Sequence, residues 1–378
     1  MECYLDNSAT TRPSDSAVAA SARAMTEVWG NPSALHRIGD EANALLESSR
    51  KTAAKFLRAG SSEVYFTGCG TDSNNLAIFG TVRALRRRGN RIVTTAVEHP
   101  SVEEPMKRLE EDGYDVVRLP VDGNGCVDPD DLAKAVTKDT ILVSMMLVNN
   151  EVGSIMPLSA ARTAIRRAKA PALLHCDGVQ GFGKLPVTPK ELGVDLLSAS
   201  AHKIHGPKGV GLLYVKSGTR ILPYLLGGGQ EGGLRSGTEG MPAIAGFAAA
   251  IGDLGDFGTV EKNLQRVTGL RDSLLQQLNG IDYTVNSPEN ALPYILNLSI
   301  PGIPSEVLRN SLSEKGVYVS TGSACSKGHR STVLTQMGIA PERIDSAIRI
   351  SFSATTTQEE VDYAAACLRE VSETLRKR

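Results

Sequence analysis

Short apolar runs alternate with longer amphipathic stretches through the first two thirds of the chain. The runs at 64–67, 91–97, 116–119, 141–148, 172–175, 194–197 and 210–215 have the length and the Val/Ile/Leu content of buried strands. Between them, 71–88, 101–111, 128–136 and 158–168 read as helices. Ahead of the first run, 17–28 reads as a helix with Ser14 as its N-cap, and a second helix spans 34–57 after the break at Gly30-Asn31-Pro32-Ser33. This βαβα rhythm predicts an α/β fold, a mostly parallel sheet with helices on both faces. The segment from Gly227 to Thr238 is too rich in glycine for a core element and reads as a loop, one suited to reach another subunit. A long helical region follows at 242–278, with glycine breaks at Gly252, Gly255 and Gly258. The rhythm then changes, with strands at 294–300, 317–320 and 347–352 and helices at 305–315, 333–337 and 358–375, which predicts a small α+β domain.

Composition narrows the classes. At 378 residues the chain exceeds one ordinary core and is expected to form two domains. Its 41 basic and 42 acidic residues nearly cancel, so no nucleic acid or other polyanion is implied as a partner. With no apolar run of membrane length and no signal peptide at 1–8, a cytoplasmic protein is expected. Six cysteines (Cys3, Cys69, Cys126, Cys176, Cys325 and Cys367) lack metal-type spacing and read as reduced thiols, so no metal site is expected.

In open parallel sheets, ligands collect beyond the carboxyl ends of the strands. The polar residues at those ends are His99, Asn150, Asp177, Gln180, Ser200, His202 and Lys203. Each has a plain alternative: Asn150 as a turn residue, Asp177 as a helix cap, His99 as a satisfied loop histidine. Their recurrence at successive strand ends favours a site. Lys203 stands between two histidines at such an end, where a solvated surface lysine is the simpler alternative. An unpaired lysine is costly to bury, and a desolvated amine suits attack on an aldehyde to form a Schiff base. The turn Gly68-Cys69-Gly70-Thr71 between a strand and a helix suits a phosphate, although any tight βα turn favours glycine and Thr71 is equally an N-cap. Cys325 differs from the other cysteines in lying among Gly, Ser and Lys, with Lys327, His329 and Arg330 nearby to favour the thiolate, although an incidental surface cysteine is the plain alternative.

Taken together, these stretches resemble the NifS/IscS-like cysteine desulfurases, within the class V aminotransferase branch of the fold-type I pyridoxal 5'-phosphate (PLP) enzymes. The resemblance runs from Tyr4-Leu5-Asp6-Asn7-Ser8-Ala9-Thr10-Thr11 through Glu98-His99, Asn149-Asn150-Glu151, Asp177 with Gln180, Ser200-x-His202-Lys203 and Arg235-Ser236-Gly237-Thr238 to Ser323-Ala324-Cys325 and Arg349. It implies a large PLP-binding domain at 15–255 and a small domain, 1–14 with 256–378, that carries the cysteine loop. Lys203 would hold PLP covalently, His99 would stack on its ring, Asp177 would pair with the ring nitrogen and Gln180 with the ring oxygen. Gly70, Thr71, Ser200 and His202 would bind the phosphate, joined by Thr238 of the partner in a homodimer. Asn150 and Arg349 would hold the carboxylate of L-cysteine, and Cys325 would take its sulfur as a persulfide, releasing alanine. The sulfur would pass to an acceptor such as an iron–sulfur scaffold or a thiolation enzyme. The run from Cys325 to the next helix is slightly shorter than the group's pattern, which bears on the thiol's outward reach. A selenocysteine lyase or a class V aminotransferase would share Lys203 and Asp177. A non-enzymatic assembly scaffold would have no need of the full set.

Overall fold

The computed structural model of the protein describes residues 1–321 and 330–376. The chain enters as strand β1 (Cys3–Tyr4) and then forms seven strands: β2 (Val64–Thr67), β3 (Arg91–Thr95), β4 (Asp115–Leu119), β5 (Thr140–Met146), β6 (Leu173–Asp177), β7 (Leu196–Ser200) and β8 (Gly211–Val215). These build one sheet in the order β2-β8-β7-β6-β5-β3-β4. The pairs from β4 through β7 are parallel, and β8 runs antiparallel to both its neighbours. Every residue of β5, β7 and β8 is buried. Helices cover both faces of such a sheet, and that is why these strands are buried along their whole length rather than at alternate residues.

A second sheet holds β9 (Thr284–Val285), β10 (Ile295–Ser299), β12 (Ser320–Thr321) and β13 (Ala347–Ser351), in the order β12-β13-β10-β9 and antiparallel throughout. β11 (Val317–Tyr318) pairs with β1, and Asp6 bridges to Ser351, so the N-terminal segment lies against the C-terminal third.

Local chemistry sets the helix ends. Ser14 caps the helix Asp15–Thr26 by accepting from Ala17 N. The next helix is Arg37–Leu57, three residues shorter than predicted, because the His36 side chain supplies its cap by accepting from Gly39 N. The helical region expected at 242–278 is two helices, Met241–Asp253 and Phe257–Gln277, bent by 75° and parted at Gly255, one of the three glycine breaks read from the sequence. Gly255 takes φ +70° at the break, and Asp256 caps the second helix by accepting from Thr259 N at 2.9 Å. Among the described residues no single helix is long and apolar enough to cross a membrane.

The segment from Gly227 to Thr238 holds one short 3₁₀ turn, Glu231–Gly233. It is tied down at Glu231, a buried carboxylate that takes two bonds from Arg50, at 2.7 and 2.9 Å, and one from Phe66 N at 2.8 Å. Removing one member of such a buried pair costs about 3–5 kcal/mol. The base of the loop is therefore fixed to β2 although much of its length is exposed.

Candidate active site

The carboxyl ends of β3, β5, β6 and β7 open onto a cavity of about 760 Å³. Its wall includes His99, Asn150, Asp177, Gln180, Ser200, His202 and Lys203, so the strand-end residues named from sequence converge. Gly70, Thr71 and Arg349 also line it.

Asp177 ends β6. Its Oδ2 accepts from Asn74 Nδ2 at 2.8 Å and its Oδ1 from Val179 N at 3.0 Å. Asn74 also donates to Ser101 Oγ at 2.9 Å, so the Ser101 hydroxyl is left to donate to His99 Nδ1 at 2.8 Å. Ser101 N donates to the same Nδ1 at 3.1 Å. With Nδ1 accepting twice, a neutral His99 carries its proton on Nε2. Burial lowers the His99 pKa and Lys203 adds to this, while Asp177 opposes it. His99 is thus both the N-cap of the helix Pro100–Glu111 and a wall of the cavity. The plain reading and the functional one describe the same geometry.

Lys203 ends a short 3₁₀ turn, Ala201–Lys203, directly after β7. Its Nζ donates to the carbonyls of Ser8 and Ala9, at 2.5 and 2.8 Å. The N-terminal segment is pinned there: Thr11 N donates to His202 O at 2.8 Å, and Gln180 Nε2 donates to Ser8 O at 3.0 Å. His202, pushed down to about 4 by burial and by Lys203, Lys208 and Lys184, is neutral near pH 7.

Arg349 stands in the middle of β13 and is buried. Nη1 donates to Asn150 O at 2.9 Å and Nη2 to Asp6 Oδ1 at 2.8 Å, whereas Nε is buried with no protein partner. Thr238 is exposed and lies apart from the cavity lining of its own chain. Cys325 falls outside the described residues.

The sequence reading gave no role to two buried carboxyls here. Glu98, pushed up to about 8 chiefly by burial, accepts from Thr95 Oγ1 and Met146 N. Glu151, raised to about 7 by burial, accepts from Ser331 Oγ. Lys184, fully enclosed beside Gln180, was missed as well. The signal available was an ionisable residue beside an apolar run, as with Glu98 after 91–97 and Glu151 just past 141–148.

A family model described as aminotransferase class-V matches residues 3–364. The chain belongs to the class-V aminotransferase family. It is 41% identical to a protein of Dictyoglomus turgidum named cysteine desulfurase IscS, across 99% of this chain and 95% of that one. It is 39% identical to a protein of Methanosarcina thermophila with the same name, across 99% and 92%. A solved structure titled NifS-like protein superposes with a TM-score of 0.93 at 39% identity, covering all of both chains. The cofactor of this class-V enzyme is PLP.

The cavity fits that group. Ser200 Oγ is buried at its wall without a partner. A Cβ on Gly70 would lie 2.9 Å from Val179 Cγ2 and 3.2 Å from Ser200 Cβ, so glycine keeps that space open. The helix Gly70–Leu85 starts at Cys69 with no side-chain cap, which leaves its first N–H groups and its positive dipole end to an anion. An amine, a carboxylate and neutral phosphate donors all stand on one cavity wall.

Proposed function

We propose that the protein is a PLP-dependent cysteine desulfurase, converting L-cysteine to L-alanine and leaving the sulfur as a persulfide on Cys325. The observation that carries the reading is the meeting of Lys203, His99 and Asp177 from the large sheet with the Arg349 guanidinium from the small one across a single cavity. The names of the relatives agree with it.

PLP, held by Lys203 and by Gly70, Thr71, Ser200 and His202, supplies the electron sink that makes the amino acid's Cα proton acidic. Asp177, set by Asn74 and Val179 N, would pair with the ring nitrogen and keep the ring an electron sink. Arg349 and Asn150 hold the substrate carboxylate, with the Nε of Arg349 as the open donor. Lys203 Nζ moves the Cα proton, and His99 Nε2–H assists proton transfer. The Cys325 thiolate attacks the substrate sulfur. An S–S bond forms as the Cβ–S bond breaks, the electron pair stays on carbon, and Cβ is protonated. Cysteine and one enzyme thiol thus become alanine and one enzyme persulfide.

The persulfide sulfur then serves an acceptor protein for iron–sulfur cluster assembly, or for a thio-cofactor or tRNA pathway. The shorter run after Cys325 favours acceptors that bring their own cysteine inward. The proposed division is a large domain at 15–255 and a small one of 1–14 with 256–378, and the β1–β11 pairing supports grouping the N-terminus with the second part.

The chain is proposed to work as a homodimer in which Thr238 reaches the partner's phosphate site. The exposure of Thr238 away from its own cavity supports this. Mixed Lys203→Ala and Thr238→Ala chains test it, since contribution across the interface regenerates one intact site per heterodimer and contribution within the chain regenerates none.

The central test is Cys325→Ser. This variant should retain the bound-cofactor absorbance and release almost no sulfide, and mass spectrometry of the wild type after cysteine should locate the persulfide on Cys325. Full sulfide release by the variant overturns the desulfurase reading in favour of a direct lyase.

A further inference from the structure

Lys184 plays no part in the reaction as derived above. Only 5% of its surface is exposed, and it is not part of the cavity lining. Its Nζ donates to Gln180 Oε1 at 3.2 Å and stands 5.9 Å from the ring centroid of Tyr294. A buried ammonium is expensive. Burial, Lys203 and Arg349 together bring its pKa down to about 7. An apolar side chain of the same length would avoid that cost.

The reason for a lysine lies in the amide it holds. A glutamine amide can be placed either way round, and its neighbours decide which. On one side is the Ser8 carbonyl, 3.0 Å from Nε2, which only accepts. On the other is Lys184, whose Nζ donates to Oε1 at 3.2 Å. Both demand the same orientation, with oxygen toward Lys184 and nitrogen toward Ser8. Nε2 carries two hydrogens and Ser8 takes one. The other remains for the cavity, whose wall Gln180 forms.

We propose that Lys184 is a positioning residue, which holds Gln180 Oε1 away from the cavity so that the amide N–H serves as donor to the anionic ring oxygen of PLP. This rests on the reading of the site given above. With Lys184 replaced by an apolar residue, Oε1 is left buried without a donor, which is unfavourable. The amide then keeps one of its two orienting partners, the Ser8 carbonyl, and in the fraction that turns Oε1 toward the cavity an acceptor stands where a donor is needed.

The experiment is a pH titration of the bound cofactor's visible absorbance in wild type, Lys184→Met, Gln180→Leu and the double variant. A donor to the ring oxygen stabilises its ionised form, so losing the donor raises the midpoint. We expect each single variant to raise it by about one pH unit, tenfold in the proton equilibrium. The double variant should go no further than Gln180→Leu, because Lys184 acts through Gln180. If Gln180→Leu moves the midpoint and Lys184→Met does not, the proposal is overturned. Additive shifts overturn it too, since they mean that the lysine's charge acts directly. An unmoved midpoint in Gln180→Leu shows that the ring oxygen is elsewhere, and the site reading and the proposal fall together. Lys184→Leu repeats the comparison if the Met variant does not fold, as judged by circular dichroism.

Discussion

The two sheets supply the site in different ways. The seven-stranded sheet contributes groups at or just past its strand ends: His99 after β3, Asn150 after β5, Asp177 and Gln180 at the end of β6, and Ser200, His202 and Lys203 at the end of β7. The antiparallel sheet contributes Arg349 from mid-strand, paired with Asn297 on one side and Ser320 on the other. A residue past a strand end takes its place from side-chain and turn hydrogen bonds, as His99 does from Ser101. A mid-strand residue takes it from the backbone ladder, so it is placed once and cannot be re-aimed without disturbing two neighbours. The groups assigned to proton transfer sit in the first setting, with Asn150, and the guanidinium assigned to holding the substrate carboxylate sits in the second.

The sharpest way to break this contrast is Lys203→Ala. Turnover should fall about 10²–10⁴-fold while the fold is retained, and the absorbance of the covalently held cofactor should disappear. Retention of that absorbance would show that another amine holds PLP.

Arg349→Lys tests the other side. It keeps the charge and loses the planar fork, and we expect KM for cysteine to rise about 10–100-fold with a smaller change in kcat. A fall in kcat at constant KM would mean that Arg349 acts on the reacting atoms and that the division of labour between the sheets is wrong.

The smallest effect belongs to Glu98, which lies beneath the strand ends. Its folded pKa of about 8 lies above the ordinary 4.5, so the folded state binds the extra proton between those values. The stability it contributes is complete below about pH 4.5 and is lost as pH rises through about 8. Glutamine is neutral throughout. Melting temperatures of Glu98→Gln and wild type should therefore diverge between pH 5 and 9, the variant gaining by a few degrees at the alkaline end. A gap that stays constant with pH would show that Glu98 does not titrate in this range.

Much of this was legible beforehand. Ser14 was read as a cap and is one, because a hydroxyl before an apolar-periodic run has a local use for its oxygen. The apolar runs at 141–148 and 194–197 were read as buried strands, and β5 and β7 lie there, buried throughout. The start of the second helix was misplaced because its cap is a histidine ring, which no usual cap rule includes. The break at Gly255 was read from its glycine, and Asp256 caps the helix that follows by accepting from Thr259 N; Gly252 and Gly258 were read as breaks as well, yet both lie inside helices.

The sequence by itself determined which elements form and that polar residues recur where strands end, because strand and helix patterns are local properties of hydrophobic spacing and turn chemistry. It also determined Lys203 as the amine to watch, since a lysine at the end of an apolar run is anomalous wherever the chain folds. Only the tertiary structure decided the state of those groups. The proton on His99 Nε2 follows from Asn74 and Ser101 acting in series, and the orientation of Gln180 follows from Ser8, 172 residues away, and from Lys184. Arg349 is held by Asp6, 343 residues away. Hydrogen bonds of this kind are made by atoms that meet only once the chain has closed, and their geometry, not the residue type, sets which atom donates and which accepts.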